Sequence, residues 1–240
     1  MVWSKSQIEI CASALPVRRS RSLWLLLLLC LSVLLGRGIP ARAQEPAVVT
    51  FTLDFPGSEP SHYVISISSD GHSSYESDGK LSPDSSADPF RLDFLVSPAT
   101  SKTVFDLAKR AHYFQGQVDS KKHNLASTGS KTLTYKDAQQ STSATYNYSP
   151  VAAVQQVTQL FQNLSTTLEF GRRLQYFHRY QKLALDEELK RMEQMAGENS
   201  LQELPAVVPI LQQIVSDNSV INPVRARAQR MIGRAESAKP

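Results

Sequence analysis

The feature that most constrains this chain is a change of hydrophobic period at Pro150. Before it, apolar side chains recur at every second residue in short runs, the spacing of strands buried on one face. After it they recur at three and four residues, the spacing of helices with one buried stripe. Strands followed by helices predict an α+β chain.

In the first half, Val49, Phe51, Leu53 and Phe55 share one face of Ala47–Phe55. Tyr63, Ile65 and Ile67 continue the alternation up to Asp70-Gly71, a dipeptide favoured in tight hairpins, and His72–Ser77 returns. Ser77–Pro89 is rich in Ser, Asp, Gly and Pro and reads as a surface loop, and Phe90–Val96 reads as a strand. Ser97–Phe114 is the one strongly helical stretch among them, with Val104, Leu107, Ala108 and Ala111 at i, i+3, i+4 and i+7. Ser97 suits its cap and Pro98 its first position. Lys131–Lys136 and Thr142–Tyr148 form a second alternating pair around a turn at Asp137–Gln140. Residues 44–149 are therefore expected to form an antiparallel sheet of about five strands with one packed helix.

Residues 150–235 are expected to be an all-helical extension. Val154, Val157, Leu160, Phe161 and Leu164 mark a first stripe. Thr166 with Glu169 has capping-box spacing, which predicts a new, long helix from there to about Ala196, stopped by Gly197. Leu174, Phe177, Leu185, Leu189 and Met192 lie on one side of it, and Tyr176, Tyr180 and Leu183 on the other. Two apolar sides predict a helix wedged between the sheet and the last helices. Ser200 with Glu203 repeats the capping spacing, Asn222-Pro223 opens a last helix ending near Gly233, and residues 236–240 are expected to fray.

The N-terminus alters the charge balance. Arg18, Arg19 and Arg21 precede an apolar run from Leu23 to Leu35, and Ala41-Arg42-Ala43 supplies the small residues of a cleavage site, so residues 1–43 read as a secretory signal. An uncleaved signal anchor is the alternative, although the run is shorter than the roughly 18 apolar residues of a membrane span. An ordinary signal would begin near Val17, which makes Met1–Pro16 an unusually long leader. Cleavage removes six of 26 basic and one of 22 acidic residues, leaving 20 against 21, a net charge of −1. The overall excess of basic residues therefore belongs to the leader and gives no argument for nucleic acid binding. Cys11 and Cys30 also leave, so the remaining 197 residues (240 minus 43) carry no disulfide, thiolate or cysteine metal site. A periplasmic or secreted location follows.

Tyr63, Ile65, Ile67, Asp70, Gly71 and Tyr75, then Phe105, Leu107 and Phe114, then the Leu133–Tyr148 hairpin, resemble a family of small exported bacterial domains of unknown function. The same layout, over about Tyr63–Leu164, is similar to emfourin-type inhibitors of thermolysin-like proteases. These positions are core and turn residues, and the glycine-rich inhibitory segment of emfourins has no counterpart, since Pro46–Pro60 contains only Gly57. The resemblance thus implies an architecture. Asp217-Asn218-Ser219-Val220 with Val224, Arg225 and Ala228 resembles the second half of a HEAT-type repeat, without a second copy.

No catalytic constellation stands out. Asp70, His72, Ser73 and Ser74 are the residue types of a hydrolase triad, but neighbours on a hairpin point to alternating faces. His62, His72, His112, His123 and His178 lack metal-ligand spacing, and no cofactor is implied. Arg227, Arg230 and Arg234 line the polar face of the last helix and read as a solvated surface. Arg172, Arg173, Tyr176 and Tyr180 are the candidate interaction surface, a cation and aromatic set of the kind that takes glycans or peptides. The expectation is a non-enzymatic binding or structural protein of the bacterial envelope or exterior, with an unidentified protein or envelope component as partner. A protease inhibitor is the alternative, and an enzyme of unrecognised type the third reading.

Overall fold

The computed structural model describes residues 45–81, 88–122 and 124–237, which lie in one compact unit. The expected signal segment with its expected cleavage site at Ala43, both cysteines, His123 and the last three residues fall outside the described part.

Six strands form one antiparallel sheet: β1 (Val48–Asp54), β2 (His62–Ser68), β3 (His72–Ser77), β4 (Phe90–Leu95), β5 (Ser130–Lys136) and β6 (Ser141–Tyr146). Their order is β4-β3-β2-β1-β5-β6. The expected count of about five is thus corrected to six. The first strand sits at the centre and pairs along all seven residues with both β2 and β5, which joins the two hairpins into one sheet. The turns form as their residues dictate. Gly71 takes φ +91° after Asp70, whose carboxylate accepts the His72 amide at 3.1 Å. Asp137 accepts the amides of Gln139 and Gln140, each at 2.8 Å.

Helix α1 (Pro98–Arg110) lies where the sequence puts it, with Ser97 Oγ accepting the Thr100 amide at 3.2 Å. The single packed helix, however, becomes two. A six-stranded sheet is about 24 Å wide, and a helix about 10 Å across covers only part of that width. Helix α2 (Ala152–Tyr180) supplies the rest, burying Val154, Val157, Phe161, Leu164 and Leu168 in the same core as the inner face of the sheet. The rings of Phe51 and Phe161 stack there at 5.3 Å between centroids.

Helix α2 also corrects the expected break at Thr166. It runs unbroken for 29 residues, and Thr166 and Thr167 turn their hydroxyls back to the carbonyls of Gln162 and Asn163 at 2.9 and 3.0 Å. A hydroxyl satisfied within its own helix gives no cap. The break comes instead at Gln181–Ala184, after which α3 (Leu185–Gly197), α4 (Val208–Ser216) and α5 (Asn222–Ser237) build a second core with Phe170 and Leu174 of α2. Among the described residues no helix is long and apolar enough to cross a membrane.

One strained segment has a visible use. His112, Tyr113 and Phe114 all adopt left-handed backbone, with φ of 49°, 54° and 64°, each costing about 1–2 kcal/mol. Burial of Phe114 and contact of Tyr113 with Tyr135, 4.6 Å between ring centroids, offset that cost. The chain then follows the outer edge of β6. Thr142 donates its hydroxyl to Tyr113 O, and Ser120 N donates to Tyr148 O at 2.9 Å. A covered edge is one defence against strand pairing between molecules. The other edge, β4, carries the exposed charges Arg91 and Asp93 instead.

Candidate functional site

Ser165, Glu169 and Arg172 fall at i, i+4 and i+7 of α2, so one helix face carries three polar side chains towards the sheet. Tyr75 and Ser77, two apart on β3, present theirs from the inner face of the sheet. Glu169 Oε1 accepts from Tyr75 Oη at 2.8 Å and from Ser77 Oγ at 2.7 Å, and Tyr75 Oη lies 3.0 Å from Ser165 Oγ. The Arg172 guanidinium lies 3.7 Å from Glu169 Oε2, donates to Asp88 O at 2.7 Å and stands 5.0 Å from the centre of the Phe90 ring. Both charged side chains are about 5% exposed. A β-carbon added at Gly79 would stand 3.0 Å from Arg172 Nη1 and 3.3 Å from Glu169 Oε2, so glycine lets the backbone close over the pair.

This arrangement is a lock rather than a reaction centre. Burial, and after it the charge of Glu169, raises the Tyr75 hydroxyl well above its ordinary value of 10.0, which keeps it a neutral donor. The carboxylate and guanidinium are held by protein groups on both sides. Glu169 also stands in the chain between Leu168, the last α2 residue of the first core, and Phe170, the first of the second. The polar cluster therefore marks the seam between sheet and helices.

A second tie lies at the start of α1. Glu203, in left-handed conformation at φ 57°, accepts from Ser97 N at 3.2 Å and from Ser97 Oγ at 2.7 Å. Gln202 donates its backbone N–H to Thr167 Oγ1 at 3.0 Å and its side-chain amide to Thr100 Oγ1 at 2.9 Å. Ser200 and Glu203 are thus no capping box for the helix that follows. Glu203 instead supports the cap of α1, more than a hundred residues earlier.

The predicted set Arg172, Arg173, Tyr176 and Tyr180 is not one surface. Arg172 is buried in the lock. Arg173 turns to α3, where its Nε donates to Glu188 Oε1 at 2.7 Å and its guanidinium lies 4.9 Å from the Phe170 ring centre. Tyr176 and Tyr180 stay together, 5.2 Å between ring centroids, with Arg179 5.2 Å from the Tyr180 ring. The expected second buried strip fails as well, since Tyr180 is 62% and Leu183 91% exposed. The turn at Gln181–Ala184 resets the helical phase, so residues on either side of it no longer share a face.

Beside the lock, a cleft of about 280 Å³ opens between the β1–β2 loop (Ser58, Glu59, Pro60) and helices α2 and α3. Tyr63, Ser165 and Glu169 line it together with Arg173, Arg191 and Met195. Sequence reasoning missed Glu169, Ser165, Tyr75 and Arg191. The i, i+4, i+7 line of polar residues within a helix otherwise patterned for burial was the available signal for the first two.

A further polar group holds the far end of α2. Asp217 Oδ2 accepts from Lys182 Nζ at 2.6 Å and meets His178 Nε2 at 3.0 Å, while Ser219 Oγ donates to Oδ1 at 2.6 Å. Lys182 first, then Ser219, hold the Asp217 carboxyl far below the usual carboxylate range. Serine and histidine both bond to the aspartate, and no serine–histidine bond is present to relay a proton. On the outer face of the sheet, His72 and Ser74 lie on the same side and Ser73 on the other, as expected of a hairpin.

No protein-family model matches the chain, and no curated protein shows significant similarity to it.

Proposed function

We propose that this chain is an exported, non-enzymatic binding or structural protein of the bacterial envelope or exterior. The observation that carries this reading is the outer face of the sheet. Every side chain on that face is half-buried or exposed, whereas β1, β2 and β5 bury the alternate positions against α1 and α2.

The face is a field of hydroxyls. In strand order it reads Ser143, Thr134, Thr50, Ser66, Ser74 and Asp93 across one row, and Thr145, Thr132, Thr52, Val64, Glu76 and Arg91 across the next. Thr50 bonds Ser66 at 2.9 Å and Thr132 bonds Thr145 at 2.9 Å, so the hydroxyls are partly ordered before any partner arrives. Hydroxyls both donate and accept and carry no charge, which suits a polar partner surface more than a reaction. The signal-like leader supplies the route outward. The lock and the Glu203 tie keep the face on a rigid body.

Fractionation of the producing cell, with the intact mass of the recovered protein, tests export. A chain beginning at Gln44 in the periplasm or medium supports it, and a chain retaining Met1 in the cytoplasm rejects it. Cross-linking from Thr50→Cys and Thr134→Cys, followed by identification of the captured envelope component, tests the face. The resemblance of the sequence to emfourin-type inhibitors makes thermolysin the control. Slowed proteolysis by the intact protein would move the reading to the inhibitor class.

A further inference from the structure

We infer that the cleft between the β1–β2 loop and helices α2 and α3 is a binding site for a monocarboxylate with a short apolar body, and that Arg191 is its anchor. This rests on the chain being a binding protein but not on its export, so the two ideas fail separately.

Charge is the first ground. Arg191 lines the cleft and makes no ion pair or hydrogen bond among the described residues. Every other arginine of the helical unit except Arg179 is engaged: Arg172 in the lock, Arg173 with Glu188, Arg225 with Val215 O, and Arg227, Arg230 and Arg234 with Glu193. Arg179 stands over the Tyr180 ring at the exposed end of α2. Arg191, an exposed residue on the lining of the cleft, is left without a protein partner among the described residues.

The lining fixes the size of the charge. Glu169 is consumed by Tyr75, Ser77 and Arg172, and Arg173 is balanced by Glu188. Arg191 is thus the one positive charge of the lining without a protein partner, while Glu59 from the opposite loop, which accepts the Lys80 amide, brings the balance of the two to zero. Any anion here faces Glu59, a dianion such as phosphate with twice the charge of a carboxylate, and a single carboxylate matches the planar two-pronged donor of one arginine.

The remaining lining describes the rest of the ligand. Met195, with the edges of the buried Leu53 and Pro60, gives an apolar side, and Ser58, Gln162 and Ser165 give neutral donors and acceptors. The cleft offers about 280 Å³. That admits one terminal residue, not an extended peptide. The ligand is a carboxylate of this size, either the free C-terminal residue of a polypeptide or a small carboxylic acid, and the two share the chemistry that Arg191 reads.

The test is calorimetric titration of the purified full chain, in mild detergent if the N-terminal apolar run is retained. The probes are N-acetyl-leucine, N-acetyl-leucinamide and 4-methylpentanoate, with backbone NMR shifts read at Ser58, Ser165 and Met195. N-acetyl-leucine should bind, the amide should bind about tenfold or more weakly, and Arg191→Gln should lose affinity by a similar factor. Arg179→Gln, outside the cleft, should change nothing. Equal binding of 4-methylpentanoate assigns the site to small carboxylic acids. A clear preference for the acetylated residue assigns it to chain termini. The inference is overturned if no probe binds at millimolar concentration, if acid and amide bind alike, or if Arg191→Gln binds as the parent does.

Discussion

The two halves of helix α2 have the same backbone and different neighbours, and comparing them shows how the molecule is joined. From Ala153 to Leu168 the helix faces the sheet through Val154, Val157, Phe161 and Leu164, and its buried hydroxyls serve as bonds: Thr158 meets Tyr146, and Ser165 meets Tyr75. From Phe170 onward it faces other helices, and the polar ties around it are ion pairs, Arg173 with Glu188 and Lys182 with Asp217, the last also bonded to His178. A sheet core is thus closed by neutral bonds and a helical core by charged ones. Glu169 and Arg172 stand where the two regimes meet. A helix can join two cores end to end, along its length, without being apolar on opposite sides.

That contrast can be broken by single substitutions. The largest effect is expected from Leu185→Asp, which places an unpaired carboxyl in the fully buried second core and should cost about 5 kcal/mol or more. Loss of the folded signal in a thermal melt checks it. Glu169→Ala comes next, because it leaves Arg172 and the Tyr75 hydroxyl buried without their partner, at about 3–5 kcal/mol. Urea titration measures it. A loss below about 1 kcal/mol would mean that the lock is ornamental to stability.

Gly171→Val probes the closeness of the second core to α2. An added β-carbon would stand 2.7 Å from Val207 Cγ1, and overpacking of that kind costs about 1–3 kcal/mol. A melt against the parent decides whether Val207 gives way.

Acid should act on the helical half. Arg230 first, and then Arg227, hold the Glu193 carboxyl down at about 2 against an ordinary 4.5. A depressed carboxyl contributes stability that is fully present above pH 4.5 and is lost as the pH falls towards 2. Glu193→Gln should remove that part of the acid sensitivity at a cost near 1 kcal/mol at neutral pH, read from unfolding midpoints at pH 7 and pH 3. The smallest effect is expected from Leu183→Asp. With Leu183 91% exposed, the change should stay within about ±0.5 kcal/mol.

How far these contrasts were legible in the sequence depends on how local their causes are. The hairpin at Asp70-Gly71, the cap at Ser97 and the turn at Asp137 are fixed by residues within a few positions of one another, and each was readable. All six strand runs were readable too, although their number was put at about five; their order in the sheet was not, because the pairing of β1 with β5 joins segments some eighty residues apart and leaves no local trace. The position of the helix break was misplaced for a related reason. Thr166 has the residue type of a cap, but whether its hydroxyl caps a new helix or turns back to Gln162 is decided by packing on both sides of it.

The site was less legible still. Arg172 was placed on a surface, since nothing in its spacing says that Glu169, Tyr75 and Asp88 will surround it. Arg173, Tyr176 and Tyr180 lie close in sequence and were grouped on that ground. On a helix, neighbours one apart diverge by about 100°, which sends Arg172 into the lock and Arg173 to α3, while Tyr180, seven residues from Arg173 and so on nearly the same side, is the last residue of α2 and stands in solvent.

Native-state hydrogen exchange tests the central point most directly, that the Glu169–Arg172 lock couples the two cores into one cooperative body. In the parent, the slowest amides of β1 and β2 and those of α5 should exchange with the same opening free energy. In Glu169→Ala they should separate, with β3 and α1 opening well before α5. Two different opening energies already present in the parent, and unchanged in Glu169→Ala, would contradict it.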